Sequence, residues 1–206
     1  AINFSMTSFL TTGGIRGHNK NMISKFFPRS HNMGVKKTLF EKIGGFGSLR
    51  HGQDIELSNR IINQQAVVKL LDNAIVYHRR RTTLLKFFKQ VFNWGVARVN
   101  LAKIDKNMLQ LVHFLPATAT VIFFLSIFGV FYYPILFIPL IYFYFLILLI
   151  ICIYGGLKTH NIKVLFNLFL VIPFQILGYG LGFSLAFIKR FMFGQSSFTG
   201  FEKKYY

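Results

Sequence analysis

The feature that most constrains this chain is a run of 51 residues, 107–157, that contains no Asp, Glu, Lys or Arg. A membrane-spanning helix needs about 20 apolar residues, so the run is long enough for two spans. A second uncharged run of 25 residues, Val164–Ile188, is long enough for a third. The predicted spans are 112–131, 135–154 and 165–188, within a membrane region at 107–190 that a C-terminal tail, 191–206, follows.

The third stretch is less apolar than the middle one because it contains a proline and several small or polar residues: Pro173, Gln175, Gly178, Gly180 and Gly182. Such a segment could cross the membrane, pack closely on a neighbouring helix or re-enter on the same side. We predict a complete crossing, although this puts Lys189 and Arg190 outside, which the positive-inside rule disfavours.

Charge divides the chain into a basic half and a membrane half. Residues 1–106 hold 18 of the 24 basic residues and five of the six acidic ones. Because this basic half runs directly into predicted spans, we expect attraction to anionic lipid, and we rank nucleic acid low as a partner. The single Cys152 excludes a disulfide framework and a Cys-His metal site within the chain.

Two of the six acidic residues, Asp54 and Glu56, stand two positions apart just after Gly52. We predict that a helix begins near Gln53. Asp54 could accept hydrogen bonds from the amides of its first turn, and Glu56 could pair with Arg60 four residues on. Alternatively, Asp54 faces a cleft at the helix start and acts as a general base.

The stretches Val67–Leu71 and Ala74–His78 are rich in β-branched and aliphatic residues and flank Asp72-Asn73. This pattern is typical of two short strands. A helix followed by strands predicts an α/β layer for residues 1–81.

Residues 82–106 show an apolar and a basic stripe at helical spacing. We predict an amphipathic helix in the membrane interface, since a span follows closely. The alternative is a surface helix packed on the α/β domain.

The stretch from His31 to His78 resembles the acceptor-side half of family 2 glycosyltransferases, inverting enzymes with a GT-A fold. The matching segments are Asn32-Met33-Gly34-Val35-Lys36-Lys37, Gly44-Gly45-Phe46, Gly52-Gln53-Asp54, Leu57, Arg60 and Val76-Tyr77-His78. The resemblance implies that residues 1–81 are the C-terminal part of a Rossmann-like α/β domain. The family's Asp-x-Asp motif has no counterpart here, so we expect the chain to be a fragment that is inactive alone.

By this resemblance, Asp54 is the catalytic base of a membrane-bound enzyme. It would move a sugar from a nucleotide-sugar donor to a lipid-linked or polysaccharide acceptor. A divalent metal, Mn²⁺ or Mg²⁺, is implied, and His78 matches a metal-ligating histidine, although it could equally be a buried histidine at a strand end. The implied substrate- and acceptor-binding residues are Asn32, Gln53, Glu56, Arg60, Gln90 and Trp94.

The segment Gln90-Val91-Phe92-Asn93-Trp94 resembles a Gln-x-x-Arg-Trp motif in which Asn93 replaces the arginine. Arg79, Arg80 and Arg81 are therefore the candidates for a diphosphate contact. The expected location is the inner cell membrane, with several passes and a cytoplasmic catalytic domain. The competing interpretation is a non-enzymatic basic module that docks on anionic lipid and holds a partner through its spans.

Overall fold

The computed structural model describes residues 1–12, 27–71, 74, 76–77 and 80–201. These residues fall into two compact units. One contains the described residues between 27 and 77, and the other joins residues 1–12 to 80–201.

Every regular element in the described part of the chain is helical. The α-helices are α1 (Ile2–Thr7), α2 (Phe9–Thr12), α3 (Lys37–Lys42), α4 (Gln53–Asn63), α5 (Leu84–Ile104), α6 (Leu115–Gly129), α7 (Pro134–Thr159) and α8 (Ile162–Phe187). Shorter 3-10 segments cover Ser30–Asn32, Lys106–Met108 and Leu111–His113, and a π-helical turn covers Ile188–Met192. The described residues contain no strand, so the predicted α/β, Rossmann-like GT-A class is wrong.

The strand prediction fails where its strongest local signal lies. Residues 67–71 have no regular structure, and Val67 and Leu71 are 82% and 67% exposed. From the second predicted strand, Tyr77 is 94% exposed. A strand becomes stable when a neighbouring strand pairs with it and its apolar face is covered, and the described residues provide neither. The run of β-branched and aliphatic residues therefore reflects the general tendency of such residues to occur in strands and does not indicate a sheet.

The smaller unit is built around α4, which begins at Gln53 as predicted. Gly52 adopts a left-handed conformation (φ 85°) at its N-terminus, and the acidic side chains of Asp54 and Glu56 lie in its first turn. Negative charge there is favourable because the helix dipole is positive at that end. The inner face of α4 buries Ile55, Leu57 and Ile61.

In the larger unit, the helix predicted at 82–106 is confirmed as α5, which begins after Thr83 accepts a hydrogen bond from the Lys86 amide. Its apolar stripe packs on α8 instead of facing outward. The two helices approach so closely that a Cβ on Gly95 would meet the backbone of Tyr179 and Phe183. From the other side, a Cβ on Gly182 in the third apolar stretch would meet the backbone of Phe92. This glycine therefore serves close helix packing, one of the alternatives that the sequence left open.

Helices α6, α7 and α8 coincide with the three predicted spans. Three helical segments, 111–129, 134–159 and 162–192, are long and apolar enough to cross a membrane. Pro134 begins α7, where the missing amide is not needed, and the Asn161 side chain caps α8 by accepting from the Lys163 amide.

The tail after Met192, residues 193–201, folds back along α5. The buried Asn93 side chain donates to the Phe201 carbonyl (3.2 Å) and accepts from the Phe201 amide (2.9 Å). Two helical turns further on, Asn100 donates to the Phe198 carbonyl (2.8 Å). Gly200, at φ 73°, allows the backbone to pass directly over Asn93. The tail thus covers a polar stripe of α5.

Candidate functional site

In the smaller unit, Asp54 is a partly exposed carboxylate at the start of α4. Its Oδ1 accepts a hydrogen bond from the Ile55 amide at 2.9 Å, so it satisfies one free amide of the first turn, as the capping interpretation predicted. Its Oδ2 lies 3.6 Å from Nη1 of Arg29, and the Asp54 side chain is 22% exposed. Because 3.6 Å is longer than a hydrogen bond, Oδ2 can still accept a proton from an incoming hydroxyl group.

A buried serine fixes the segment that carries Arg29 against α4. The Ser58 hydroxyl is 1% exposed and lies 2.7 Å from the Asp54 carbonyl and 3.1 Å from the Pro28 carbonyl. Its oxygen also lies 3.9 Å from the sulfur of Met33. These contacts hold the residues on both sides of Arg29, so the arginine is positioned beside the Asp54 carboxylate by packing as well as by charge.

The second carboxylate, Glu56, has a different environment. Its oxygens accept from Nε (2.6 Å) and Nη2 (2.8 Å) of Arg60, which confirms the predicted pairing along the helix. Arg60 also donates to the carbonyls of Ile43 and Gly45, in the turn that follows α3. The hydrogen bonds to Glu56 raise the pKa of the Arg60 guanidinium above its usual value. This pair fastens the turn to α4, and a role in acceptor binding stays a prediction for both residues.

Two contributors to this arrangement were not identified from the sequence. Arg29 is one of several basic residues near the start of the sequence, and its pairing with a residue 25 positions away leaves no local signal. Gly47 was missed although a Cβ there would lie 2.9 Å from Oε2 of Glu56, which explains why a small residue follows Phe46.

The other residues predicted to bind substrate or acceptor are distributed over both units. In the smaller unit, Gln53 is the first residue of α4 and Asn32 is exposed at the end of a 3-10 segment. In the larger unit, Gln90 and Trp94 are partly buried on α5, where Trp94 packs against a cluster around Met6 and Phe87.

Of the three arginines, Arg80 donates from Nε to Oδ1 of Asn3 at 3.3 Å, and Arg81 is partly buried. His78 and Arg79 lie outside the residues that the structure describes. Their predicted roles therefore stay predictions.

The described residues do not form a metal centre. Among them, no three His, Cys, Asp or Glu side chains are grouped closely enough to hold a metal ion. Asp54 and Glu56 are each engaged by an arginine. The divalent metal that the family resemblance implied stays a prediction, because its candidate ligand His78 lies outside the described residues.

Comparison with known proteins gives one positive result. No curated protein and no solved structure matches the chain. The model of glycosyl transferase family 21, however, matches residues 21–192, which include α3 to α8 and therefore both the Asp54 site and the apolar helices. The family number differs from the family 2 resemblance seen in the motifs, while the broader prediction of a glycosyltransferase is confirmed. Because the match covers most of the sequence, the chain belongs to glycosyl transferase family 21.

Proposed function

We propose that this chain is part of a membrane-bound glycosyltransferase that moves a sugar from a nucleotide-sugar donor to a lipid-linked or polysaccharide acceptor, with Asp54 as general base. Membership of family 21 supports glycosyl transfer. The motif resemblance to family 2 supports an inverting reaction. The observation that carries the proposal is that one carboxylate of the acidic pair, Asp54, is partly exposed, whereas Glu56 is buried in its pair with Arg60.

In the proposed reaction, Oδ2 of Asp54 takes the proton of the acceptor hydroxyl as that oxygen bonds to the anomeric carbon. The bond from the anomeric carbon to the nucleoside diphosphate breaks, and the diphosphate leaves with the electron pair. Proton transfer to a positioned carboxylate contributes about 10²–10⁴-fold to such a rate. Arg29 keeps the carboxylate oriented while Oδ1 holds the Ile55 amide. The divalent metal, Mn²⁺ or Mg²⁺, and a diphosphate contact from Arg79, Arg80 or Arg81 are proposals that rest on the resemblance alone.

The proposed location is the inner membrane, with the Asp54 unit in the cytoplasm, where nucleotide sugars are made. The basic residues that flank the apolar helices support this orientation. Lys103 and Lys106 precede α6, and Lys158 and Lys163 flank the turn between α7 and α8, whereas residues 130–133 between α6 and α7 are uncharged. Basic flanks stay on the cytoplasmic side.

The test is Asp54→Asn in the full-length protein, which keeps the shape and an oxygen for the Ile55 amide but removes the base. We expect sugar transfer from radiolabelled UDP- and GDP-sugars into a lipid and glycan fraction to fall by about 10²–10⁴-fold, with little change in thermal stability. The matched control is Glu41→Gln, a carboxylate that is 62% exposed and paired with Lys37, and it should retain activity. Wild-type turnover by Asp54→Asn would refute the assignment. A variant that merely loses stability would support capping as the main role of Asp54.

A further inference from the structure

We propose that α6 and α7 form the membrane-crossing hairpin, whereas α8 lies along the bilayer surface together with α5 and the tail. This inference rests on the membrane location proposed above, and it replaces the third crossing that the sequence predicts. The partner of the exposed apolar side of α8 is then the lipid bilayer at the boundary between head groups and acyl chains. Its consequence is that residues 193–201 lie on the same side of the membrane as the residues before α5.

Helices α6 and α8 run in opposing directions where they contact each other. Three helices that cross a membrane in series alternate in direction, so the first and third run the same way. Here, Phe114, just before α6, contacts Phe183 and Phe187 at ring distances of 5.1 and 6.5 Å. Six residues later, the Thr120 hydroxyl lies 3.2 Å from the Ile176 carbonyl. As α6 advances, its contacts move back along α8, so the two helices run in opposing directions.

Helix α7 also runs in the opposite direction to both α6 and α8. Along α7 and α8, a Cβ on Gly156 would meet Leu165, whereas Cys152 packs with Leu168. Along α6 and α7, Phe123 contacts Tyr144 (5.8 Å), and the α6 end at Gly129 meets the start of α7. Three helices that oppose one another in every pair cannot all stand perpendicular to one bilayer.

The position of these contacts indicates how the helices are arranged. α8 meets the first turns of α6 through Thr120 and the last turns of α7 through Cys152 and Gly156. In an antiparallel hairpin, the start of the first helix and the end of the second lie on the same side of the membrane. A helix that lies across that side touches both ends, as α8 does.

Helix α5 explains why α8 is the helix that stays at the surface. The two run in parallel, because Phe88 contacts Phe174 (ring distance 5.9 Å) near one end and Lys103 lies 4.0 Å from the Phe191 ring near the other. If α8 crossed the hydrocarbon, α5 would be drawn in beside it. α5 carries basic residues toward both of its ends, Lys86 and Lys89 near its start and Arg98 and Lys103 near its end. Such charges are disfavoured in hydrocarbon and favoured at an anionic surface.

The tail gives an independent reason. Its residues 193–197 are exposed and lack regular structure, and the tail extends back to Asn93, near the middle of α5. The amides of Phe193 and Gln195 and the carbonyls of Gln195 and Ser196 are hydrogen-bonded within the chain, which leaves the other backbone groups of this segment to the surroundings. Irregular backbone that faces lipid does not occur within the hydrocarbon region, because such groups would have no partners there. At the membrane surface, water satisfies these groups. This position also keeps Lys189 and Arg190 on the same side as Lys158, as the positive-inside rule prefers.

The test compares three single cysteines in full-length protein whose Cys152 is replaced by Ser: Thr82→Cys before α5, Tyr132→Cys between α6 and α7, and Ser197→Cys in the tail. Each is exposed to a membrane-impermeant maleimide in intact and in permeabilised cells. We expect Ser197→Cys to behave like Thr82→Cys and opposite to Tyr132→Cys. If Ser197→Cys instead behaves like Tyr132→Cys, α8 crosses and the proposal is wrong; equal labelling of all three would also overturn it.

This experiment tests the cytoplasmic orientation of the protein and the surface position of α8 separately. If Thr82→Cys and Ser197→Cys both react in intact cells while Tyr132→Cys does not, the surface position of α8 stands and the proposed cytoplasmic location is wrong. Glycosyl transfer by the Asp54 site is measured in a separate assay. The catalytic role of Asp54 and the surface position of α8 can therefore be refuted independently.

A depth measurement provides the second readout. A fluorophore is attached to single cysteines at Ile162, Ile176 or Leu185 of α8 in proteoliposomes that contain lipids brominated at different acyl positions. We expect similar, shallow quenching at all three sites, whereas Phe145 in the middle of α7 should be quenched best by deep bromines. Deep quenching at Ile176 together with shallow quenching at Ile162 would show a crossing helix.

Discussion

The close contact between α5 and α8 gives a sharp test at Gly95. The Gly95→Ala substitution adds one methyl group that would collide with the backbone of Tyr179 and Phe183. Backbone atoms cannot rotate away, so the helices have to separate. Overpacking of a core costs about 1–3 kcal/mol, and a backbone obstruction belongs at the upper end. Alanine recovers about 1 kcal/mol through its better helix propensity, which leaves a net loss of about 2 kcal/mol.

For a chain of this size, that loss lowers the denaturation midpoint by about 4–8 °C. The assay is thermal denaturation in detergent followed by Trp94 fluorescence, because Trp94 is the single tryptophan of the chain and precedes the substituted residue. The control is Gly34→Ala, where a Cβ meets nothing within 4 Å. We expect little change there. An unchanged or raised midpoint for Gly95→Ala would refute the close packing of α5 on α8.

Two further substitutions test other contacts. Arg60→Lys removes the planar fork that serves Glu56 and two backbone carbonyls at once. We expect the free energy of unfolding of the smaller unit to fall by about 1–2 kcal/mol in thermal or urea denaturation. The exposed control Lys42→Arg should leave it unchanged. Equal effects of the two substitutions would contradict the role of Arg60 in holding the turn to α4. Asn93→Leu removes both hydrogen bonds to Phe201. We expect chymotrypsin to cleave the tail of this variant at least about tenfold faster than that of the wild type. The exposed control Asn167→Leu should leave the cleavage rate unchanged. An unchanged rate for Asn93→Leu would contradict the docking of the tail on α5.

The sequence predicted well those features that depend on nearby residues. The start of α4 follows from Gly52 and the acidic first turn, and the Glu56–Arg60 pair follows from their spacing of four. Long uncharged runs located α6, α7 and α8 because hydrophobic length is itself the physical requirement. At the site, the sequence singled out Asp54 from a rare acidic pair, and in the structure it is the partly exposed member of that pair. Its catalytic role stays a prediction.

Features that depend on distant partners were not predictable in this way. The β-branched residues near Val67 favour a strand, but no local pattern reveals whether another strand exists to pair with it. The stripe on α5 is amphipathic whether lipid or α8 covers it, since both surfaces are apolar. The glycines of α8 carried the relevant signal, because a stripe of small residues allows two backbones to approach. Arg29 and Asp54 meet because the segment between them, which includes α3, folds back on α4, and their separation in sequence hides this contact.

The docking of the tail on Asn93 also has a consequence for the order in which the protein is made. Asn93 and Phe201 are separated by 108 positions, so α5 leaves the ribosome long before its covering segment exists. Helix α8, which buries its apolar stripe, is likewise still to be synthesised. A nascent α5 therefore has to shelter that stripe elsewhere, and the membrane interface suits its apolar and basic sides. We expect α5 in ribosome-bound chains truncated before residue 162 to be shielded by lipid, and to become shielded by protein once residue 201 has emerged. The protection of cysteines introduced along α5 from a thiol reagent, measured at successive chain lengths, would reveal this change from lipid to protein contact. Protection that does not depend on chain length would contradict it.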